Sequence, residues 1–315
     1  MSSTATPRSS RSDQPGGTRV DGLPDHVVIR QLYLGCLSQA SYLVGDTATG
    51  RAIAVDPRRD IEEILDGRRG GAHDRAGGGH HFHADFLSGH LELAAATGAA
   101  IGIGAAGAGR RVRPPLAARR RRDLARRGRG GGARDPRAHP ESISLVVRPA
   151  AGADPVAVLT GDTLFIGDVG RPDLLVAANI PASELGAHLY RSVHRLLGLP
   201  DPTLVLPAHG AGSACGKALS TETVSTIGEQ RRTNYALQPM DQDDFIALVT
   251  EGQPAAPAYF GHDVALNRAD HALLDEHQAS TSSPWPTSTP PRRAAPWWST
   301  PERPRTSPPP TSPAR

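Results

Sequence analysis

The sequence predicts an α/β fold. Three observations predict it. Short apolar runs bounded by turn residues recur along the chain, stretches with helical spacing alternate with them, and histidines and aspartates collect where the apolar runs end. Residues 1–25 are rich in Ser, Thr, Pro, Gly and Arg and read as a disordered leader. HVVIRQLYLG (26–35), QASYLVGD (39–46) and RAIAVDP (51–57) then read as strands. A helix is expected to start over 60–65, and a second over FLSGHLELAAAT (86–97). SISLVVR (142–148), PVAVLTGD (155–162) and TLVLPAH (203–209) are further apolar strands. Between the last two, Leu185, Leu189, Val193 and Leu196 recur at helical spacing and predict a helix over 181–197. Residues 220–236 and 241–251 complete the helices, with Asp241 placed to cap the second.

Three windows break this order. Gly67–Gly79 is rich in Gly, Arg and Ala, and Ala105–Ala138 contains four consecutive arginines, Arg119–Arg122. Neither shows strand or helix periodicity, and the fold is expected to be partly disrupted at 67–79 and 105–138. The tail from Ala279 holds 11 of the 29 prolines and all three tryptophans, and reads as disordered. The expected organisation is thus a leader (1–25), a folded domain (26–278) and a Pro-rich tail (279–315). Lys217 is the only lysine among 35 basic residues, as a GC-rich gene would give. Out-of-frame reading of such a gene yields aperiodic Arg/Ala/Gly/Pro runs, and the three windows fit that origin; a natural basic insertion and a Pro-rich linker are the alternative.

Composition excludes several classes. Two cysteines, Cys36 and Cys215, are too few for a disulfide scaffold. No apolar run approaches the roughly 18 residues of a membrane span, and the N-terminus lacks a signal-peptide core, so a cytoplasmic protein without a membrane partner is expected. The net charge of +3 and pI of about 9.2 suggest a nucleic-acid partner, but twelve arginines against two aspartates in 105–138 account for the surplus. The rest of the chain is net acidic, which argues against nucleic acid as the main partner.

The chemistry-bearing residues are dispersed. His81-x-His83-x-Asp85 sets two imidazoles and a carboxylate at alternate positions, which cannot share one helix face but can converge on one point from a strand end or loop. Such groups are the usual ligands of zinc and non-haem iron. His139 precedes a strand, Asp162 closes one and His209 closes another. Side chains at strand ends project into clefts rimmed by loops. Arg171 and Asp173, in GRPD, follow the Asp162 strand; Arg suits a carboxylate-bearing thiol, and an Arg–Asp turn salt bridge is the alternative. Cys215, in SACGK, reads as a plain loop thiol rather than a sulfur-transfer nucleophile, and His90 as a core or surface histidine.

In this order, these residues resemble the metallo-β-lactamase superfamily. The likeness runs from about His26 to Leu274, with gaps at the two basic windows. Its persulfide dioxygenase branch is the nearer match, through SYLVGD (41–46), AVDP (54–57), HFHADFLSGH (81–90), LTGDTLFIGDVGRPDL (159–174), YRSVHRLLGLP (190–200), LPAHG (206–210) and STETVSTIGEQRRTNYAL (220–237). The resemblance implies an αββα sandwich with metal at the edge of two sheets, and a mononuclear Fe(II) held by His81, His139 and Asp162. His83 would line the site. Asp85 and His209 would sit where related hydrolases hold a second metal; Asp85, Arg171 and Asp173 are the candidate catalytic side chains. The implied reaction is oxidation of a low-molecular-weight thiol persulfide by O₂ to sulfite and thiol. The superfamily motif continues with a sixth-position histidine, where this chain has Phe86, which favours one metal over two. His139 also lies one residue nearer its strand than the family pattern has it, a slip that would turn a strand side chain to the other face. A zinc-dependent thioester hydrolase of glyoxalase II type is the first alternative, and an inactive, damaged gene product the second.

Overall fold

Strand alternation sets the layers of the computed structural model, which describes residues 16–68, 73–78, 82–104, 133–134, 142–174 and 180–274. In β2 (Val27–Leu34), Val27 and Ile29 face one way and Leu32 the other. In β3 (Gln39–Asp46), which pairs with it antiparallel from Val27↔Asp46 to Leu34↔Gln39, Ala40 and Tyr42 face with Ile29, and Leu43 with Leu32. The period of two gives one sheet two apolar faces, and both are covered. With β1 (Thr18–Arg19), β4 (Arg51–Val55), β5 (His73–Gly78) and β6 (Ala100–Gly102), these strands form a six-stranded sheet in sequence order. A five-stranded sheet is ordered β11-β10-β9-β8-β7, from β7 (Ala133–Arg134), β8 (Ile143–Val147), β9 (Ala157–Gly161), β10 (Leu204–Pro207) and β11 (Ser225–Thr226).

Between the sheets lie Val27, Ile29, Tyr42 and Val55 from the first and Ala157, Leu159 and Leu206 from the second. Outside the first sheet, Leu32, Leu43, Ala52 and Ala54 pack on Ile61, on Ile64 of α1 (Glu62–Arg68) and on Leu93 of α2 (His90–Thr97). Outside the second, Val158 and Val205 pack on Leu189, Val193 and Leu196 of α3 (Ala182–Leu196) and on Phe245 and Val249 of α5 (Gln242–Thr250). Ile227 of α4 (Ile227–Thr233) joins that outer cluster, and Phe260 of α6 (Phe260–Arg268) packs with Ala84, Phe165 and Cys215. The layers are αββα, as expected. One polar bridge crosses the interior: Gln31 Nε2 donates to the Tyr42 hydroxyl at 2.9 Å, which donates to Pro207 O at 2.6 Å. Burial pushes the Tyr42 hydroxyl far above the ordinary phenol range, so it stays a donor.

The structure corrects several expectations. Within the segment read as leader, Thr18–Arg19 pairs with β2 and Val20 is buried in the inter-sheet core, so ordered structure begins before residue 26. Within 67–79, His73–Gly78 is a strand, parallel to β4 on one side and β6 on the other. Pairing uses main-chain N–H and C=O, and a segment flanked on both sides can be held as a strand despite the glycine that weakens it in isolation. Of 105–138, only Ala133–Arg134 is described, paired with β8; the remainder of that window lies outside the described residues, as does the 278/279 boundary. The helix expected over 86–97 starts only at His90, because 86–89 form the loop leaving the His/Asp motif. The helix expected over 220–236 is reduced to Ile227–Thr233, where the Thr226 hydroxyl accepts from Glu229 N–H and caps the start. Asp241 caps α5 as expected. Among the described residues, no helix is long and apolar enough to cross a membrane.

Candidate metal centre

The site residues follow the C-terminal ends of strands in parallel pairs, β4 beside β5 in the first sheet and β9 beside β10 in the second. Asp56 follows β4, Asp162 follows β9, and His209 lies two residues past β10. Asp56 adopts a left-handed backbone (φ 51°), as does Gly161 just before Asp162 (φ 55°). Gly170 is required beside this corner, since a Cβ there would lie 1.9 Å from Asp162 O. His209 is tied to the first sheet by a bridge to Gln39 and by Ala40 N–H donating to Ala208 O.

Four of the residues singled out in the sequence meet here. His83 Nδ1 is 3.9 Å from Asp85 Oδ1, Asp85 Oδ2 is 3.4 Å from His209 Nε2, and His209 Nε2 is 3.5 Å from Asp162 Oδ1. Ligands about 2.1 Å from a tetrahedral cation sit about 3.4 Å from one another, so this spacing suits groups around one ion better than groups in direct hydrogen bonds. Each imidazole is oriented from behind. His83 Nε2 lies 3.0 Å from Asp56 Oδ1, both side chains being fully buried. His209 Nδ1 lies 3.3 Å from Ser38 O, which fits an Nδ1–H donor and turns Nε2 towards the carboxylates. A carboxylate or carbonyl holding the far side of a ligating imidazole is the usual outer support of a metal site. Asp85 Oδ1 is buried and accepts no hydrogen bond from a described residue. The donor chemistry therefore fits a divalent cation.

His81 and His139 lie outside the described residues. Phe86, in the sixth motif position, is buried and packs on His83 with ring centroids 4.3 Å apart. Arg171 and Asp173 are brought together, but with each other: Arg171 Nε and Nη2 donate to the two Asp173 oxygens at 3.1 and 2.7 Å. Arg171 Nη1 donates to Ala214 O at 3.0 Å, and Nη2 also to Pro254 O. Arg171 is only 1% exposed. Between the two readings of GRPD, the geometry is that of the salt bridge, a clamp on the 214 and 254 loops.

Sequence reasoning missed four residues. Asp56 lay inside AVDP without a role. Cys215, read as a plain loop thiol, is buried, and its sulfur lies within 4.8 Å of ligand atoms of both Asp162 and His209. Burial, then the charges of Asp162 and Asp85, push its thiol well above the ordinary range. Asp168 fixes the loop that carries it: Oδ2 accepts from Lys217 and Ala218 N–H, both at 2.6 Å, and Oδ1 from the Tyr235 hydroxyl at 2.7 Å. Asn267 of α6 clamps the His83–Ser88 loop, donating to His83 O and Phe86 O and accepting from Ser88 N–H at 2.8–2.9 Å. Only GRPD and the His/Asp spacing had a local signal; the other contacts join residues far apart in sequence.

Comparison with known proteins identifies the fold. The structure matches a metallo-β-lactamase from Staphylococcus aureus subsp. aureus COL with a TM-score of 0.68 and 29% identity, covering 80% of this chain and 75% of that one. It matches ETHE1 from Myxococcus xanthus with a TM-score of 0.59 and 23% identity, covering 76% and 97% respectively. The chain has the metallo-β-lactamase fold. In sequence, 87 residues are 42% identical to an uncharacterized protein of Mycobacterium leprae, 27% of this chain and 31% of that one. Another 92 residues are 35% identical to a β-lactamase hydrolase-like protein of Agrobacterium fabrum, 29% of this chain and 20% of that one. The chain thus matches about a third or less of each of these two relatives' length. No protein-family model matches it.

Proposed function

We propose that this chain is a mononuclear Fe(II) persulfide dioxygenase, oxidising a low-molecular-weight thiol persulfide with O₂ to sulfite and thiol. The observation that carries this reading is Phe86. Its ring occupies the sixth motif position and packs on His83, leaving the site one imidazole short of the set that holds two metals in related hydrolases. Two histidines and a carboxylate suit Fe(II), which supplies the one-electron chemistry that O₂ requires. Asp162 is the described member of that set, with His81 and His139 as the family resemblance assigns them. Asp56 holds His83 in one orientation, and Ser38 O does the same for His209. Phe165, Phe260 and Ala84 pack around Cys215 as an apolar wall beside the carboxylates. Arg171, with its nitrogens committed to Asp173 and two carbonyls, supports the loop rather than the substrate.

A zinc-dependent thioester hydrolase is the second reading. It is favoured by Asp85 and Asp162 both approaching His209 Nε2, which groups two carboxylates and an imidazole where the resemblance puts a second cation. Metal content of anaerobically purified protein, measured together with oxygen uptake on a glutathione persulfide, separates the two. One iron per chain with persulfide-dependent oxygen consumption and sulfite release is expected; two zinc ions per chain without oxygen consumption would defeat the dioxygenase. A thermal melt addresses the damaged-product alternative, which predicts no cooperative transition.

A further inference from the structure

We propose that Asp162, His209 and Cys215 form a thiolate-containing site for a thiophilic divalent cation, zinc by chemical class, overlapping the iron position at Asp162. The inference rests on the reading of this pocket as a metal centre and adds to it a ligand that the reading does not use. One carboxylate oxygen, one imidazole nitrogen and the Cys215 sulfur lie mutually within 4.8 Å, and all three residues are buried. A second group, His83, Asp85 and His209, meets the same criterion and shares His209. The two groups differ in softness: the one with Asp85 offers only nitrogen and oxygen, whereas the one with Cys215 offers sulfur, which zinc accepts readily.

Cys215 is not placed there by accident of a loose loop. Asp168 Oδ2 accepts from the N–H groups of Lys217 and Ala218, and Ser213 Oγ accepts from Cys215 N–H at 3.1 Å. At Gly216 a Cβ would meet Leu219 Cδ1 at 2.1 Å and Asp168 Oδ2 at 3.0 Å, so the turn admits no side chain without rearrangement. Asp85, whose side chain is 9% exposed, adds a carboxylate on the His209 side, and its Oδ1 is buried without a hydrogen bond from any described residue. When sulfur binds the cation, the S–H bond breaks and its proton leaves to solvent. Because Asp162 serves both positions, a cation held by Cys215 competes with iron. Excess zinc is therefore expected to block iron loading through a cysteine, without altering the fold.

The chain has two cysteines and Cys36 is exposed, so Cys36→Ser leaves Cys215 as the only thiol. Metal-free C36S protein is titrated with Co(II) and followed by absorption, then with Zn(II) against a chromophoric chelator. The expected result is a near-ultraviolet thiolate-to-cobalt charge-transfer band saturating at one equivalent. In C36S/C215S the band should be lost and zinc affinity should fall at least about tenfold, the range for losing a site-tuning partner. Circular dichroism and a melt confirm that the double variant folds; C36S/C215A repeats the test if it does not. Cobalt binding to folded C36S without that band, or a band surviving the loss of Cys215, would overturn the proposal. The outcomes separate from those of the dioxygenase reading: oxygen uptake by the iron-loaded protein without a thiolate band sinks this site alone, and the band without oxygen uptake sinks only the dioxygenase.

Discussion

Replacing Asn267 tests whether the last described helix holds the metal loop in place. Asn267 is 1% exposed and lies on α6, 179 to 184 positions from the loop residues it touches. Its amide donates to His83 O at 2.9 Å and Phe86 O at 2.8 Å, and its carbonyl accepts from Ser88 N–H at 2.8 Å. Asn267→Leu keeps the branched shape and opens no cavity, although its methyl groups are bulkier than the amide and add some overpacking cost. Three main-chain groups of the loop lose their partner, at about 1 kcal/mol each and more where no water replaces it. The expected loss is about 3 kcal/mol in urea unfolding of the metal-free protein. The same loop carries His83 and Asp85, so loosening it should also weaken metal binding about 10–100-fold, as loss of an outer support does. Affinity is read by competition with a chelator under conditions where the variant is folded. A variant within about 0.5 kcal/mol of the parent, the range of neutral surface changes, would refute the clamp. Lower stability with unchanged metal affinity would show that Asn267 serves the fold and not the site.

Two further outcomes follow from buried groups. Burial, then the nearby His271, lowers the pKa of His90 to about 4 from its ordinary 6.5. The folded state thus binds fewer protons, and the stability is complete above about pH 6.5 and lost as pH falls towards 4. Such a shift is worth about 3 kcal/mol, so the stability difference between parent and His90→Gln, from urea midpoints, should change by about that much between pH 7 and pH 4. A pH-independent difference would contradict it. Gly170→Ala puts a methyl group 1.9 Å from Asp162 O. Overpacking there should cost about 1–3 kcal/mol and displace Asp162, leaving less metal per chain after dialysis; parent-level metal content would argue against this placement.

Much of the frame was legible because burial on one or both sheet faces writes itself into the residues. Ile29, Tyr42 and Leu43 alternate as half-buried strands do, and β9 is buried at every residue, so its apolar run marks a central strand. Leu185, Leu189, Val193 and Leu196 form a stripe on α3 that its neighbours cover. In α6, only Phe260 and Asn267 are buried, so no stripe marks it and it went unread. In β5, the strand is held by neighbours on both sides, and its own composition argued against it. In the site, the His/Asp spacing gave His83 and Asp85, and strand ends gave Asp162 and His209. Cys215 was set aside because its setting depends on Asp168, 47 positions away, which no local pattern displays.

The distribution of these determinants bears on the basic windows. Asp56, His83, Asp85, Asp162, His209 and Cys215, with the clamps Asp168 and Asn267, all lie outside 67–79 and 105–138. Of the expected ligands, His81 sits two positions past the first window and His139 one past the second. Altered sequence in those windows would therefore reach the site through two histidines, while leaving a pocket of carboxylates, imidazoles and one thiol with its supports. Such a pocket can retain a cation after losing the geometry that oxygen chemistry needs. Metal binding and the proposed persulfide oxidation are thus separately testable. A chain that binds one thiophilic ion tightly but consumes no oxygen would be explained by the position of the two histidines, not by failure of the fold.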